Sequence, residues 1–443
     1  MRKYILTILL IFPVSISTFS QELLTLENAV SQAIEKNYSI KIANANLALA
    51  HNDNTRGNAG MLPVVLGSSQ KTFSNSNINQ QFFPVGTTVR DPLVQSGVGS
   101  NNSNTNINMV WTIFDGLGMF ATADRLKESE KLGKTTTEIA IENTVAQVCG
   151  AYYDIIRQKQ RIKALKNAIE VSNTRLQLSK DKFEVGTSSK ADLLAAQVDY
   201  NQDQAALVAQ EQALENAKVN LNMLLVRNMN TDFNVPDTIV FRKDLNINQL
   251  RIQLEKQKPN LIAANQNRQI AGVSEKEVKA RRLPQLDLLG SYGYSTINIE
   301  AGFGVKNGRS GILNYGARLS VNVFDGYNQK RREQGAKINS LITEYQESDL
   351  KNQLQSALER TYNIYQNSLK LYSFEVDNLK IARQNVELAF ERFKVGNSKA
   401  IEFREAQRSA IASDVRLIEA AFNIKIAEIE LLRLSSSIVE EVK

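Results

Sequence analysis

The chain has one cysteine, Cys149, one histidine, His51, one tryptophan, Trp111, and seven prolines among 443 residues. Each scarcity closes a class of function. A lone cysteine inside a helical stretch excludes a disulfide framework and gives no N-terminal site for a lipid; it reads as a small buried hydrophobe. A lone histidine excludes His-based triads, dyads and multi-histidine metal sites. No GxxxxGK[ST] phosphate loop is present. The composition therefore points away from an enzyme, with no cofactor and no metal site expected. Long apolar runs are also lacking. The one candidate, Tyr4–Val14, follows Arg2 and Lys3 and gives way to Thr18-Phe19-Ser20, the pattern of a secretory signal peptide over residues 1–20. It is too short for a membrane-spanning helix, which needs about 20 apolar residues. Charge of one sign is scarce as well. The net charge of +7 falls to +5 when Arg2 and Lys3 leave with the signal, and acids and bases interleave, so no nucleic-acid partner is expected.

What the chain does contain is a duplication. Phe183–Gln197, FEVGTSSKADLLAAQ, returns 210 residues later as Phe393–Gln407, FKVGNSKAIEFREAQ, with no gap. Each copy lies between two long helical patterns and reads as the tip of a helical hairpin. Gly186 and Gly396 supply the left-handed residue that ends the first helix. Thr187 or Asn397, each followed by a serine, is the expected cap of the second. Phe114-Asp115-Gly116 returns as Phe324-Asp325-Gly326 at the same offset of 210, and Leu62-Pro63 is matched by Leu283-Pro284. The expected organisation is a first repeat over 21–226, a linker over 227–248, a second repeat over 249–434 and a tail over 435–443.

Each repeat has the same grammar. A helical opening, from Thr25 to about Thr55 and again over 249–281 with a turn at Pro259, leads to a strand pair. The pairs are expected at 62–75/104–116 and 283–295/312–326, separated by loops that include an unpatterned polar stretch from Asn75 to Ser103. Ile107, Met109, Trp111 and Ile113 share one strand face; Asn106, Asn108 and Thr112 share the other. Leu286, Leu288, Tyr292 and Tyr294 alternate likewise with Gln285, Asp287 and Ser291. So do Leu313, Tyr315, Ala317, Leu319, Val321 and Val323 with Asn314, Arg318, Ser320 and Asn322. Long helices are expected over 117–185, 190–226, 327–395 and 399–434. The longest would reach roughly 100 Å if straight. A heptad seam runs through Tyr365, Leu369, Tyr372, Val376, Leu379, Val386, Phe390 and Phe393, interrupted by Arg383. Its counterpart, Ile155, Ile162, Ile169, Leu176 and Phe183, is weakened by Lys159, Lys166, Asn173 and Lys180.

The helices alone suit a coiled-coil scaffold or a periplasmic adaptor without a pore. The strands decide otherwise. Their length and dyad pattern are those of transmembrane β-strands, with Trp111, Tyr292, Tyr294 and Tyr315 as an interfacial girdle. Four strands cannot enclose a channel, and an open edge cannot face lipid. Several chains must therefore contribute to one barrel.

The signal peptide, the TLENAV opening, the two strand pairs and the two hairpins with VG-x-S tips resemble the outer-membrane efflux protein family, the TolC-like channel-tunnels. The resemblance spans essentially the whole mature chain. It implies an α+β membrane protein in which a duplicated unit gives four transmembrane β-strands and two long coiled-coil helical hairpins per chain. Three chains form a trimeric 12-stranded β-barrel in the outer membrane, continuous with an α-helical barrel in the periplasm. Helices within 25–58, the linker and the tail would form a belt around it. The implied role is the passive exit duct of a tripartite efflux pump or type I secretion system. Its implied partners are two further copies, outer-membrane lipid, a periplasmic adaptor and, through it, an inner-membrane pump or ABC transporter. Family members narrow to two acidic rings at the second tip, positions held here by Glu402 and Glu405, and Asp192 matches the acid of the first tip. Val185, Gly186, Thr187, Ser188, Val395, Gly396, Asn397 and Ser398 would form the adaptor-docking tips. Where the family latches its tips with tyrosine and arginine, this chain has Phe393 and Ser398. Lys399 and Arg404 stand near enough in sequence to offset the acidic ring.

Overall fold

The computed structural model describes residues 23–300 and 305–442; the expected signal peptide lies outside the described residues. Thr25 caps the first helix as its spacing predicts, its hydroxyl accepting from the Asn28 amide at 3.2 Å. The opening is two helices, α1 (Leu26–Lys36) and α2 (Tyr38–Asp53), where one was expected to about Thr55. Asn37 makes the break. It takes an extended conformation, its amide donates to the Leu224 carbonyl at 2.9 Å, and its Oδ1 accepts from the Ser39 amide at 2.9 Å. An Asn side chain that satisfies two backbone groups in this way competes with helix continuation.

Then follow β1 (Val64–Gln80), β2 (Leu93–Phe114), α3 (Gly118–Glu184) and α4 (Lys190–Leu224). The second repeat gives α5 (Ile247–Gln257), α6 (Pro259–Ala280), β3 (Gln285–Ile299), β4 (Asn307–Ser320), α7 (Asn328–Lys394) and α8 (Ala400–Leu434), before a short α9 (Ile438–Val442). The duplication is written in the backbone. Left-handed residues occur at Gly116 and Leu117 and again at Gly326 and Tyr327, at Gly186 and Gly396, and at Val226 and Ser436, each pair 210 apart. Leu117, Tyr327, Val226 and Ser436 bear the steric cost of that conformation, so both repeats need those bends.

The repeats are units of sequence and not of packing. One compact unit takes residues up to Lys41, Ala140–Gln257 and residues from Gln355 on; the other takes Ile42–Ile139 and Lys258–Leu354. Each draws on both repeats, because neither a lone hairpin nor a lone strand pair can bury its apolar side.

In the strand-bearing unit the four strands form one antiparallel sheet in the order β1-β2-β3-β4. The polar stretch expected as loop from Asn75 to Ser103 is mostly ladder: β1 continues to Gln80 and β2 begins at Leu93, with an irregularity between Ser76 and Ile78. Backbone pairing needs no apolar side chain, so Asn- and Ser-rich strand left no periodic trace. Conversely, β4 stops at Ser320, short of the expected 326. β3 starts only at Gln285, so among the described residues Val321–Phe324 have no ladder partner.

The register sorts the side chains. Ile107, Tyr292 and Leu313 share one row; Val65, Met109, Gly290 and Tyr315 the next; Trp111, Leu288 and Ala317 a third. The opposite face carries Asn108, Ser291 and Asn314, then Asn104, Ser295 and Ser310. On that polar face Asp287, fully buried, accepts from Thr112 at 2.8 Å and from Arg318 at 2.7 Å. From the Leu286 row to the Tyr292 row this face is apolar, and the Tyr294 row edges it, a rise of about 27 Å along the strand from Leu286 to Tyr294 and roughly 20 Å after strand tilt. Both edges, β1 and β4, lack a partner strand among the described residues.

Gly116 turns the chain from β2 into α3. A Cβ there would lie 2.3 Å from the Ala280 carbonyl oxygen and 2.7 Å from the Leu283 Cβ, whereas at Gly326 the nearest atom is 3.8 Å away. Both carry positive φ, worth roughly 1 kcal/mol against alanine. Gly116→Ala adds a backbone clash and should cost upward of about 3 kcal/mol. Thermal melting followed by circular dichroism should rank wild type, then Gly326→Ala, then Gly116→Ala; equal midpoints for the two variants would contradict this account.

The hairpin-bearing unit has its own core. Leu24, Val30 and Ala33 meet Val145, Val148, Tyr152, Ile155 and Ile156 of α3, Leu221 and Leu225 at the end of α4, Phe233 and Val235 of the linker, and Leu432 and Ile438. Tyr152 donates to the Leu24 carbonyl at 2.9 Å. Cys149 lies in this core, its thiol pushed up to about 12 by burial. The linker fills the upper heptad seams: Tyr365 donates to the Arg242 carbonyl at 2.9 Å, and Phe241 meets Tyr372 edge-on. Lys159, which breaks the first seam, reaches Asp237 at 2.6 Å and the Val235 carbonyl at 2.7 Å. The polar seam residue is the linker's anchor.

Candidate functional site at the hairpin tips

Both tips lie in the hairpin-bearing unit and are built alike. In the first, the Thr187 amide donates to the Lys182 carbonyl at 2.8 Å and the Gly186 amide to the Phe183 carbonyl at 3.0 Å. In the second, the Asn397 amide donates to the Arg392 carbonyl at 2.9 Å and the Gly396 amide to the Phe393 carbonyl at 3.2 Å. This closure consumes the orphan carbonyls of a helix end around a left-handed glycine. It leaves Val185 and Val395 more than two-thirds exposed at the apex, with Thr187 and Asn397 exposed and Ser188 and Ser398 half-buried.

The caps of the returning helices fall later than expected. Ser189, and not Thr187, caps α4 through a reciprocal box: the Asp192 amide donates to Ser189 Oγ at 3.1 Å, and Asp192 Oδ2 accepts from the Ser189 amide at 3.3 Å. Asp192 Oδ2 also accepts from the Ser189 and Ser188 hydroxyls at 2.7 and 3.2 Å. The Ser189 bond above all holds this carboxyl below the usual aspartate range. Lys399, and not Asn397, occupies the cap of α8 and makes no side-chain cap bond. The first tip is therefore locked by a capping box, whereas the second has only Arg392 on the Asn397 carbonyl at 3.5 Å.

The tips meet through Lys182. Its ammonium donates to the Phe393 carbonyl at 2.6 Å and stands 4.4 Å from the Phe393 ring centroid. Phe393 is buried and stacks on fully buried Phe403 at 6.0 Å, while Phe390 lies 5.3 Å from the same ring. A cation on the last carbonyls of a helix is favourably placed against its dipole.

Directly behind lies a buried charge network. Arg404 of α8 grips Asp203 of α4 with both terminal nitrogens, at 3.1 and 3.2 Å, and its Nε is 3.3 Å from Asp199. Asp199 is held in turn by Arg175 of α3 at 2.7 Å. Gln407, beside Arg404 at 3.4 Å, donates to the Ala168 carbonyl at 3.0 Å. Arg404 and Arg175 are 6% and 3% exposed, so these are desolvated pairs joining three helices of both hairpins.

Glu402 and Glu405 face outward on the opposite side of the same turn of α8. Arg404 does not offset them, contrary to expectation, because its guanidinium is committed to Asp199 and Asp203. Arg408 does so for Glu405, at 3.5 Å. The sequence reading missed Arg404, Asp199, Asp203 and Arg175 as a unit. A signal was available: at the offset of 210 they stand opposite Leu194, Ser409, Ser413 and Asn385, so this is where the repeats diverge in charge.

The pattern of the outer membrane efflux protein family matches residues 29–226 and 250–436. The chain belongs to this family. Among its relatives, the outer membrane protein TolC of Vibrio cholerae is 21% identical over 312 residues, covering 68% of this chain and 69% of that one. Among solved structures, the Campylobacter jejuni CmeC outer membrane channel superposes with a TM-score of 0.78 at 16% identity, covering 94% of this chain and 89% of that one. The outer-membrane channel OprN gives 0.76 at 17% identity, covering 93% and 90%. This efflux protein thus carries the channel-tunnel fold in the outer membrane, and its banded sheet is the membrane element. Among the described residues no helix is long and apolar enough to cross a membrane.

Proposed function

We propose that this efflux protein acts as a homotrimer, the passive exit duct of a tripartite pump or type I secretion system, without enzymatic activity of its own. The observation that carries the reading is the sheet: one face with four consecutive apolar rows, the other predominantly polar from the Asn108 row to the strand ends, and both edges unpaired among the described residues. Lipid cannot satisfy a strand edge, whereas β4 of one copy against β1 of the next does so three times and closes a barrel. The polar face, with its asparagines and the Asp287–Arg318 pair, then lines water.

Glu402 and Glu405 serve as the gate, with Asp192 at the first tip. Three copies bring six glutamates to one mouth, where like charges repel anions and attract cations. The tips, Val185 to Ser188 and Val395 to Ser398, dock a periplasmic adaptor that couples the duct to an inner-membrane pump or ABC transporter. Two exposed valines among short polar residues suit a partner that itself ends in a small apolar hairpin. Purified mature protein in a planar bilayer should give a small, cation-selective conductance, and Glu402→Gln/Glu405→Gln should lower that selectivity while keeping the pore. A pore indifferent to the change would move the gate elsewhere on the tips. Well-folded protein without any pore would return the chain to the scaffold class.

A further inference from the structure

Just beyond the apolar band, on the same outward face, the register aligns Lys71, Ser103, Thr296 and Arg309 across all four strands. Every side chain in that row donates hydrogen bonds and none is acidic. Lys71 and Arg309 are exposed and, among the described residues, neither is paired with a carboxylate. The row nearer the band, Ser69, Thr105, Tyr294 and Gly311, continues the theme with hydroxyls, Ser69 and Thr105 being 2.9 Å apart. Lys71 also lies 5.0 Å from the ring of Phe73, which is 71% exposed on the same face.

The geometry points to this row as a binding site for the phosphate-bearing headgroup of an anionic lipid in the leaflet on the turn side of the barrel. The inference rests on the membrane-channel reading. The row sits one strand step, about 7 Å, above the Tyr294 row, which is where headgroups begin. Within one chain the two cations stand three strand spacings apart, about 14 Å, so they share one phosphate only across the seam between copies, with Ser103 and Thr296 as the neighbouring donors. The Phe73 ring lies beside the ammonium itself, a cation–π contact that holds Lys71 on the outward face. Barrel closure sets the Arg309-bearing edge of one copy beside the Lys71-bearing edge of the next, so the site recurs three times around the rim. The other exposed bases of these strand ends, Arg90 and Lys306, stand off the row.

The test uses full-length mature protein in micelles doped with equal phosphatidic acid and phosphatidylcholine, with retained lipid counted by native mass spectrometry. Wild type should retain phosphatidic acid preferentially, and Lys71→Gln/Arg309→Gln should lower its affinity about fivefold for each base removed. Arg90→Gln/Lys306→Gln should retain it as wild type does, and millimolar inorganic phosphate should not displace it. Equal retention of both lipids, undiminished retention by the row variant, loss in the off-row variant, or displacement by free phosphate would each overturn the inference. Bilayer conductance of the same preparations separates the two levels. Pores without lipid preference defeat the site alone, and absence of pores in wild type defeats the channel reading with it.

Discussion

Arg404→Leu will melt at a markedly lower temperature than wild type and will raise the conductance of the reconstituted pore. Leucine is what the first repeat carries at this position, Leu194, where the side chain is half exposed and harmless. At 404 it would leave Asp203 buried without its cation, and Asp199 held by Arg175 alone. Removing one member of a buried ion pair costs about 3–5 kcal/mol, most of it the price of a charge left without a partner. Arg404→Leu/Asp203→Leu removes both charges, and replacement by apolar residues is often neutral, so the double variant should melt close to wild type. Conductance should rise in both, because each loses the tie between α4 and α8. That split is what identifies a tether. Should the single variant melt lower without any change in conductance, the network holds the fold and has no part in holding the mouth closed.

The parts of this molecule that repeat were legible in its sequence, and the parts that join the repeats were not. Gly186 and Gly396 announced the tips because only a left-handed residue ends a helix that way. Ile107, Tyr292 and Leu313 announced the sheet because alternation survives in any strand with one apolar face. Asn101 to Ser103 announced nothing: their ladder is pure backbone, and polar side chains on both faces leave no period to read. The caps at Ser189 and Lys399 were misplaced by two residues: Thr187 is a capping type like Ser189, and at the second tip α8 starts after Lys399, which is no capping type at all. The Arg404 network was invisible to spacing, since its members are 201 and 205 residues apart along the chain and are brought together only by the packing of α8 on α4.

Adjacent residues on β4 should give opposite results when each is replaced by arginine. Leu313 lies on the apolar face, one row inside that of Tyr294, and Asn314 on the opposite, polar side, and both are exposed in the single chain, Leu313 at 67%. A soluble protein would accept arginine at either. In a barrel, Leu313→Arg places a charge against lipid between the midplane and the interface, at about 1–3 kcal/mol per copy and three copies per barrel. It should abolish the heat-modifiable oligomer in outer-membrane fractions. Asn314→Arg points into water, so it should assemble normally and shift the pore toward anions. Two assembled oligomers would mean that this face never meets lipid, and the spanning sheet would be wrong. Loss of both would mean that the lumen is too crowded for the longer side chain. Asn314→Asp, smaller and of opposite sign, then decides the matter, because a lumenal position should accept it and move selectivity toward cations.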